Sequence, residues 1–490
     1  MKDGSPGVDE ITAKALKQVD DFIFPPLTHV CNLSLTQGHL PQELKLAKYK
    51  GNDPSYFNNY RPISLLSVFS KVMEKVMYDR LYNYLTTLKL LYEFNLVFKK
   101  NKFTYMAIIS LTDKITKAME NGEFCLGVFI DFRKAFDTVD HSILLDKLYY
   151  YGIRGVAHTW ISSYLTDRQQ FVEFNGARSS TLKVNCGVPQ GSNLGPLLFL
   201  IYINDLAFVS PKLFAVLFAD DSNFFCTDSN LPKLFETVNQ ELISIVDWLN
   251  ANRMSLNVEK TNFMIFHPKG KKIHYKENIK ILGSNISEVT STKFLGVIMD
   301  SNLTWKLHID YVCSKISKNI GIIKKARRVF DKDTLLTLYY SFIYPYLNYC
   351  VHIWGSSAST YLQKLFLLQK KIVRIVCGVN RFTHSEPLFE SLSVLTIDKL
   401  YRYNISLLMY KYHHGWLPQI LNSFERNIDI HLYNTRQANQ LHIPLCKTEL
   451  GKRSFRYQAV KIWNETNSSL AVNIKIGTFK KNLKSFLVRN

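Results

Sequence analysis

Two adjacent aspartates, Asp220 and Asp221, follow directly on a run of seven apolar residues, and this stretch constrains the chain more than any other. The apolar run extends from Leu213 to Ala219, and a second one ends at Cys226. The pattern predicts a buried strand, a tight turn and a returning strand. A turn that faces only solvent more often carries Asn-Gly or Asp-Gly. Paired carboxylates here indicate a bound cation, although the pair alone fits an acidic hairpin tip equally well.

A third carboxylate, Asp131, ends a second apolar strand, Phe124–Ile130. If this strand lies beside the strand before Asp220, the three carboxylates come together. They would then repel one another strongly unless a divalent cation sits between them. Two Mg²⁺ ions about 4 Å apart can stabilise the attacking and leaving oxygens of a phosphoryl transfer. The sequence therefore predicts a two-metal carboxylate site, with Mg²⁺ as the expected ion and Mn²⁺ as a substitute.

Three stretches in the order A, B, C resemble the motifs of reverse transcriptases, and specifically the polymerase of jockey-like non-LTR retrotransposons. Motif A is Phe129-Ile-Asp-Phe-Arg-Lys-Ala-Phe-Asp137, motif B is the Gly-Pro-rich loop Gly187–Pro196, and motif C is Phe218-Ala-Asp-Asp221. A chance match to all three is far less probable than a match to one. The resemblance implies an RNA-directed DNA polymerase that extends a DNA 3′-end on an RNA template during retrotransposition.

The fold implied by the resemblance is an α/β right hand with a mainly antiparallel palm sheet, α/β fingers and a helical thumb. The expected regions are an N-terminal extension with the fingers (1–124), the palm (125–300), a thumb-like helical region (301–378) and a basic C-terminal region of unassigned role (379–490). The reverse transcriptase domain as a whole would span about 32–300.

The resemblance also assigns roles to individual residues, and each role has a plainer alternative. Asp131, Asp220 and Asp221 would hold the metal ions. Lys260, in a segment similar to motif D, would protonate the leaving pyrophosphate, or it is a solvated lysine at a strand start. Arg61, in Tyr60-Arg-Pro-Ile-Ser-Leu-Leu66, would meet the incoming triphosphate, or it forms a salt bridge at a helix entry.

Three further residues would contact the substrate. Phe136, five positions after Asp131, would abut the 2′ position of the sugar, or it is a core phenylalanine under the helix that begins near Asp140. Gln190 would offer a hydrogen-bonding side chain at the site. Gly191 would let the backbone approach a bound base pair closely. His141 is best explained as a helix-start residue rather than a ligand.

Two departures from the family pattern fall in the fingers. The stretch between Ala47-Lys48 and the turn that follows Lys50 is a few residues short. Val97 and Lys99 stand where relatives usually carry Gly and Arg. A β-branched residue in place of Gly is unfavourable where the backbone needs a positive φ. Both changes bear on nucleotide binding more than on the metal site.

Positive charge is concentrated in the second part of the chain. Residues 301–490 carry 28 Lys and Arg against 10 Asp and Glu, a net charge of +18, whereas residues 1–300 carry a net +3. This asymmetry predicts that the C-terminal half supplies much of the affinity for phosphates; the alternative is a basic surface that only aids solubility. One cluster suits a thumb helix that follows a nucleic-acid backbone, or a solvated helical face: Lys315, Lys318, Lys324, Lys325, Arg327, Arg328 and Lys332.

The remaining expectations concern partners and location. No window approaches ~20 uninterrupted apolar residues, so we expect no membrane span. The eight cysteines are scattered, which predicts reduced thiols in an intracellular protein and no zinc site. The resemblance implies an RNA template, a DNA primer and dNTPs as partners and the nucleus as the site of action; no segment of this chain resembles the endonuclease domain that such elements usually carry.

Two other functions stay open at this level. The chain could be a catalytically weakened relic that only binds nucleic acid, because its fingers depart from the pattern while the aspartates remain. It could also be an RNA-dependent RNA polymerase, which shares the two-aspartate palm. The Phe-Ala-Asp-Asp turn and the large Phe136 disfavour the second of these.

Overall fold

The computed structural model describes residues 5–50, 63–95, 104–174, 177–271, 273–417, 424–430, 437–470 and 473–489. Three residues with sequence predictions, Arg61, Val97 and Lys99, lie outside these ranges. Within the described ranges, no helix is both long and apolar enough to cross a membrane.

Among the residues that the structure describes, fourteen strands form four sheets. In chain order they are β1 (Leu46–Lys50), β2 (Ile63–Leu65), β3 (Phe124–Ile130), β4 (Arg168–Phe174), β5 (Ala177–Arg178), β6 (Leu182–Val184), β7 (Phe214–Phe218), β8 (Asp221–Asp228), β9 (Asn262–Phe266), β10 (Lys280–Ile281), β11 (Ser284–Asn285), β12 (Ser287–Glu288), β13 (Ser291–Phe294) and β14 (Val297–Asp300).

Helices make up most of the rest. In chain order they are α1 (Ala13–Gln18), α2 (Asp20–Gln37), α3 (Val68–Thr87), α4 (Thr104–Glu120), α5 (His141–Tyr150), α6 (Gly155–Leu165), α7 (Gly195–Ile203), α8 (Leu231–Ala251), α9 (Lys306–Ala326), α10 (Lys332–Phe342), α11 (Tyr344–Asn348), α12 (Val351–Trp354), α13 (Ser359–Cys377), α14 (Glu386–Ser391), α15 (Ile397–His413), α16 (Asn427–Ile430), α17 (Glu449–Lys452), α18 (Phe455–Ser469) and α19 (Ile476–Arg489).

The central sheet has five strands in the order β12-β9-β3-β8-β7. All its pairings are antiparallel except that of β12 with β9, which confirms the mainly antiparallel palm. Strand β3 is buried along its whole length, and its neighbours approach closely. A Cβ atom added at Gly127 would lie 2.6 Å from a ring carbon of Phe225, so only glycine leaves room for that ring.

Successive side chains of β3 enter two separate cores, because strand residues alternate between the faces of a sheet. Cys125 and Phe129 belong to a palm–thumb core, which also contains α4 and the thumb helices. Leu126, Val128 and Ile130 belong to a palm–fingers core, which also contains α3 and α5 to α8. The β3 sequence is apolar throughout because both faces of the strand are covered.

A second sheet lies in the fingers, with the strand order β2-β1-β4-β5 and with β6 paired to β4. Strands β1 and β4 run parallel and pair Leu46 with Gln169 and Lys50 with Glu173. The hairpin expected around Asn175-Gly176 is consistent with the pairing of Phe174 and Ala177, although its two turn residues lie outside the described ranges.

One helix boundary differs from the sequence expectation. The sequence predicts a helical run that ends at Pro25-Pro26 and a new helix from Leu27, whereas α2 continues through both prolines. A proline inside a helix leaves unpaired the carbonyl four residues before it. Here those carbonyls belong to Asp21 and Phe22, which are exposed, so water can satisfy them.

The C-terminal region packs into the rest of the protein. Buried residues of α18 and α19 share the palm–thumb core with α4 and α9. The guanidinium of Arg456 lies 3.4 Å from the Asp113 carboxylate on α4, and Glu120 accepts a hydrogen bond from the Thr448 hydroxyl at 2.9 Å. The described helices α18 and α19 of the basic C-terminal region thus share one core with the palm and the thumb.

Candidate active site

A two-residue turn presents Asp220 and Asp221. Strands β7 and β8 pair as far as Phe218 with Asp221, so the turn consists of Ala219 and Asp220. Ala219 has a φ of 54°, a left-handed conformation that is costly for a residue with a Cβ atom. Strained backbone of this kind persists where the surrounding structure enforces it, commonly at functional sites. The sequence pattern at this turn is therefore confirmed as a strand, a tight turn and a returning strand.

The third carboxylate comes to the same end of the sheet. Strand β3 pairs with β8 as far as Ile130 with Ser222, and one further step in this register sets Asp131 opposite Asp221. The backbone of Asp131 is fixed on its other side, where its carbonyl accepts a hydrogen bond from Asn257 N–H at 2.8 Å. Its own N–H donates to the hydroxyl of Thr261 at 3.4 Å.

The three carboxylates influence one another electrostatically. The pKa of Asp221 is raised to about 6, first because the surrounding protein displaces solvent and then because the charges of Asp220 and Asp131 repel its own. Asp220 and Asp221 are solvent-exposed and Asp131 is half-buried. The site is thus a rim of negative charge that a cation would relieve.

The donor set fits a hard divalent cation, which prefers carboxylate oxygens. No group of three or more His, Cys, Asp or Glu side chains converges closely enough to hold a metal ion among the residues that the structure describes. Mg²⁺ does not need such a cage, since it usually keeps several waters and binds through one or two carboxylates plus substrate phosphates. Asp131, Asp220 and Asp221 are the residues that would hold it.

The motif B loop docks on the loop that follows Asp131. The side-chain amide of Gln190 donates to the carboxylate of Asp137 at 2.8 Å. The N–H of Val188 donates to the Phe136 carbonyl at 2.8 Å, and the His141 ring donates to the Gly187 carbonyl at 2.8 Å. His141 therefore supports the loop from the first residue of α5.

Glycine is required at two positions of this loop. Gly187 has a φ of +85°, and a Cβ atom there would lie 2.7 Å from the Asp137 carbonyl oxygen. Gly191 has a φ of +105°, and a Cβ atom would meet the Ser64 carbonyl oxygen of β2 at 3.0 Å. The N–H of Ser64 in turn donates to the Gln190 carbonyl at 2.7 Å. Motif B is therefore held between motif A and the fingers sheet.

The surroundings of Phe136 fit both the sugar-contact role and the core-packing role. Its ring stacks on that of Phe199 in α7, with the ring centroids 4.3 Å apart, and it packs against the palm–fingers core. The side chain is nevertheless only half-buried, so part of the ring is accessible to solvent. The sugar-contact role stays a prediction.

The structure describes the position of Lys260 but not that of Arg61. Lys260 is exposed on the turn before β9, one residue before Thr261, which contacts the backbone of Asp131. This position brings the lysine to the carboxylate end of the sheet. Arg61 lies outside the described residues, so its predicted contact with the triphosphate stays a prediction.

One residue that sequence reasoning missed is Glu74 of α3. Its side chain is fully buried, and its carboxylate accepts hydrogen bonds from the Asn193 N–H at 2.6 Å and from the Tyr164 hydroxyl at 3.1 Å. The side-chain amide of Asn193 donates back to the Lys71 carbonyl at 2.8 Å. Glu74 thus ties the motif B loop to the fingers. The only local signal was an acidic residue on the apolar face of a helix.

Comparison with known proteins gives a consistent result. The reverse transcriptase (RNA-dependent DNA polymerase) family matches residues 48–299. The probable RNA-directed DNA polymerase from transposon BS of Drosophila melanogaster is 26% identical over 419 residues, which cover 81% of this chain and 45% of that protein. The RNA-directed DNA polymerase from the mobile element jockey of the same fly is 25% identical over 413 residues, covering 81% of this chain and 44% of that protein.

Among solved structures, telomerase from Candida albicans, in complex with a fragment of telomeric RNA, aligns with 12% identity and a TM-score of 0.37. The alignment covers 74% of this chain and 62% of that chain, and the likeness is too weak to support a conclusion. The chain spans less than half the length of the two fly relatives. The interval of the family match contains Asp131, Gln190, Asp220, Asp221 and Lys260.

Proposed function

This chain belongs to the reverse transcriptase (RNA-dependent DNA polymerase) family, and we propose that it extends a DNA 3′-end on an RNA template by two-metal phosphoryl transfer. The observation that carries the proposal is the meeting of Asp131 with Asp220 and Asp221 at one end of the palm sheet. Displacement of solvent by the surrounding protein, together with repulsion from Asp220 and Asp131, raises the pKa of Asp221, and a bound cation would offset both effects. We take the ion to be Mg²⁺, with Mn²⁺ as a substitute.

Each residue of the site then has a part in the reaction. Divalent ions, when bound, stabilise the attacking and leaving oxygens of the phosphoryl transfer. Asp131, Asp220 and Asp221 hold the ions in place. The side chain of Gln190 is oriented by its hydrogen bond to Asp137. The backbone carbonyl of Gln190 accepts a hydrogen bond from the Ser64 N–H on β2 of the fingers. The loop thereby has a fixed position against which a template base pair can rest.

Three further side chains act on the incoming nucleotide. Phe136 turns the free part of its ring toward the sugar, where it excludes a 2′-hydroxyl and offers it no hydrogen bond. Lys260 carries a proton that it gives to the leaving pyrophosphate. Arg61 contacts the triphosphate from the fingers. These three roles rest on the family resemblance of the motifs in which the residues stand.

The biological setting belongs to the same proposal. The relatives named above come from mobile elements of Drosophila, and the chain matches them over four-fifths of its own length. We therefore assign it to the copying of a non-LTR retrotransposon RNA, with a DNA 3′-end as primer. The DNA that supplies this end lies in the nucleus, which is the expected site of action.

A primer-extension assay tests the proposal. The protein is given poly(rA) annealed to oligo(dT), with dTTP and Mg²⁺, and poly(dA) annealed to the same primer serves as the comparison. We expect extension on the RNA template that EDTA abolishes. Binding of the RNA hybrid without extension would favour the nucleic-acid-binding relic instead. Extension of an RNA primer by ribonucleotides alone would indicate an RNA-dependent RNA polymerase.

A further inference from the structure

Two neighbouring loops form an exposed surface at one end of the thumb. We call it the two-loop tip, and it consists of residues 324–332, which comprise the end of α9, the loop after it and the first residue of α10, and of residues 378–384, after α13. The Arg327 guanidinium donates to the Gly378 carbonyl at 2.8 Å and joins the loops. The second loop is held to its own helix, since Arg374 donates to the Thr383 carbonyl at 2.8 Å. The tip therefore has a defined shape.

Large apolar side chains of the tip lie in solvent. Val329 is 80% exposed, Phe382 is 77% exposed and Phe330 is 49% exposed. The guanidinium of Arg381 lies 4.6 Å from the centre of the Phe382 ring, so one cation already covers part of one ring. Apolar surface that stays exposed contributes nothing to the hydrophobic stabilisation of the fold. A cluster of exposed apolar side chains marks an interaction site.

The charge around these rings is almost entirely positive. Six exposed cations belong to the tip: Lys324, Lys325, Arg327, Arg328, Lys332 and Arg381. None of the six forms an ion pair within the part of the chain that the structure describes. The one acidic residue of the tip is Asp331, which caps α10 by accepting from the Thr334 N–H at 3.0 Å. Asp333 and Glu386 lie just outside it.

We propose that the two-loop tip binds single-stranded RNA, with its cations on the phosphates and with Phe330 and Phe382 stacked on bases. Cations interleaved with exposed rings are the arrangement that binds single strands, because every base has a face on which a ring can stack. A duplex offers the cations its phosphates but keeps its base faces buried. The tip lies outside the family-matched interval 48–299, so it adds a contact beyond the carboxylate site.

This inference deepens the proposed function, since it names a place where the RNA leaves or enters the protein as a single strand. Binding at the tip needs neither metal nor nucleotide. The difference in RNA affinity between the parent and a tip variant, measured in EDTA without dNTPs, therefore reports on the tip, whereas extension on poly(rA)/oligo(dT) requires the active site. Either can fail while the other succeeds.

The experiment measures fluorescence anisotropy of a labelled oligouridylate bound to the full chain in EDTA, across a range of salt concentrations. Phe330→Ala combined with Phe382→Ala should weaken binding roughly tenfold or more without changing its salt dependence, because stacking is lost and no charge is removed. Lys325→Gln combined with Arg328→Gln should flatten the slope of log K against log salt by about 1.4, because two phosphate contacts are lost on a single strand.

Controls separate the proposal from general effects. Phe22→Ala removes an exposed ring (86% exposed) far from the tip in sequence, and it should leave RNA affinity unchanged. All variants should melt at the temperature of the parent, since the replaced side chains are exposed. A blunt RNA duplex should lose little affinity in the ring variant.

Three results would overturn the proposal. In the first, the ring variant binds oligouridylate as tightly as the parent. In the second, it loses affinity for the duplex as much as for the single strand. In the third, it keeps RNA affinity and loses binding to phosphatidylserine vesicles, which would assign the tip to an anionic membrane surface.

Discussion

Replacing Glu74 by alanine should destabilise the protein strongly, although this residue lies outside every motif. The carboxylate is fully buried and accepts hydrogen bonds from Asn193 and Tyr164. The positive charge of the buried Arg168 also acts on it, while burial raises its pKa. Glu74→Ala removes the acceptor of both hydrogen bonds and a negative charge that acts on Arg168.

The size of the loss follows from these contacts. Hydrogen bonds to a charged group contribute about 1.5–3 kcal/mol each, and removing one partner of a buried charge pair costs about 3–5 kcal/mol. The two figures describe overlapping effects and do not add, so we expect a loss of ~3–5 kcal/mol of unfolding free energy. At about 2–4 °C per kcal/mol for a unit of 150–250 residues, the melting temperature should fall by about 6–20 °C.

The same change should affect catalysis selectively. Asn193 lies three residues after Gln190, so a looser loop should raise the KM for dNTP more than it lowers kcat. Differential scanning fluorimetry and steady-state incorporation measure the two effects. Glu74→Gln, which keeps the shape, should lose less of both. Glu236→Ala, at an exposed position of α8, should change stability by no more than about 0.5 kcal/mol.

Two outcomes would refute this reasoning separately. A loss below about 1 kcal/mol for Glu74→Ala would mean that the buried contacts carry no more energy than surface ion pairs commonly do. A large drop in melting temperature with an unchanged KM in the surviving folded protein would make Glu74 a packing residue with no influence on the loop.

Three further changes test other parts of the site. Phe136→Val should raise the ratio of ribonucleotide to deoxynucleotide incorporation and keep deoxynucleotide use; if the stack on Phe199 is only core packing, the ratio stays constant and stability falls by roughly 2–4 kcal/mol. Gly191→Ala should raise the KM for dNTP, because its φ of +105° and its contact with Ser64 leave no room for a methyl group; an unchanged KM contradicts the tight docking of motif B. Deletion of residues 380–490 should lower the melting temperature of the remainder, since that region shares a core with α4. A truncated protein as stable as the parent would show that the region contributes nothing to the stability of this core.

The carboxylate site could be predicted because its signals are local. Asp131 and Asp220 each follow a short apolar run, and a strand, a turn and a charge can be read within about ten residues. The sequence interpretation assumed that the strands before Asp131 and Asp220 are neighbours, whereas β8 lies between β3 and β7, and the carboxylates come together because β8 itself begins at Asp221. The register of β3 with β8 could not be predicted, because β3 is apolar on both faces and a shift by one residue would bury equally apolar side chains.

Other contacts could not be predicted because their partners are distant in sequence. Glu74 meets Asn193 across 119 positions, and an acidic residue in a helix gives no sign of which loop it will hold. The Gln190 side chain was expected at the site, but its partner Asp137 was not. Burial raises the pKa of Asp137 while the hydrogen bond from Gln190 opposes this.

The C-terminal region shows a different limit. Its composition turns polar from Arg381 onward, and the sequence therefore predicts only a basic region of unassigned role. Its apolar residues are spaced along α18 and α19 on one face of each helix, and these faces pack on the palm and thumb. A thin amphipathic stripe is a weak signal in a polar sequence, and the partner of such a stripe is decided by tertiary packing.

The most direct test of the central claim is the extension rate of two variants on poly(rA)/oligo(dT) with Mg²⁺. Asp131→Asn and Asp220→Asn should each lower the rate by ~10³ or more, because each removes a charge that holds the ions on which the transition state depends. Asp146→Asn, at an exposed position of α5, should extend like the parent. Asp131→Asn or Asp220→Asn protein that folds normally and retains a rate within about tenfold of the parent would contradict the two-metal assignment.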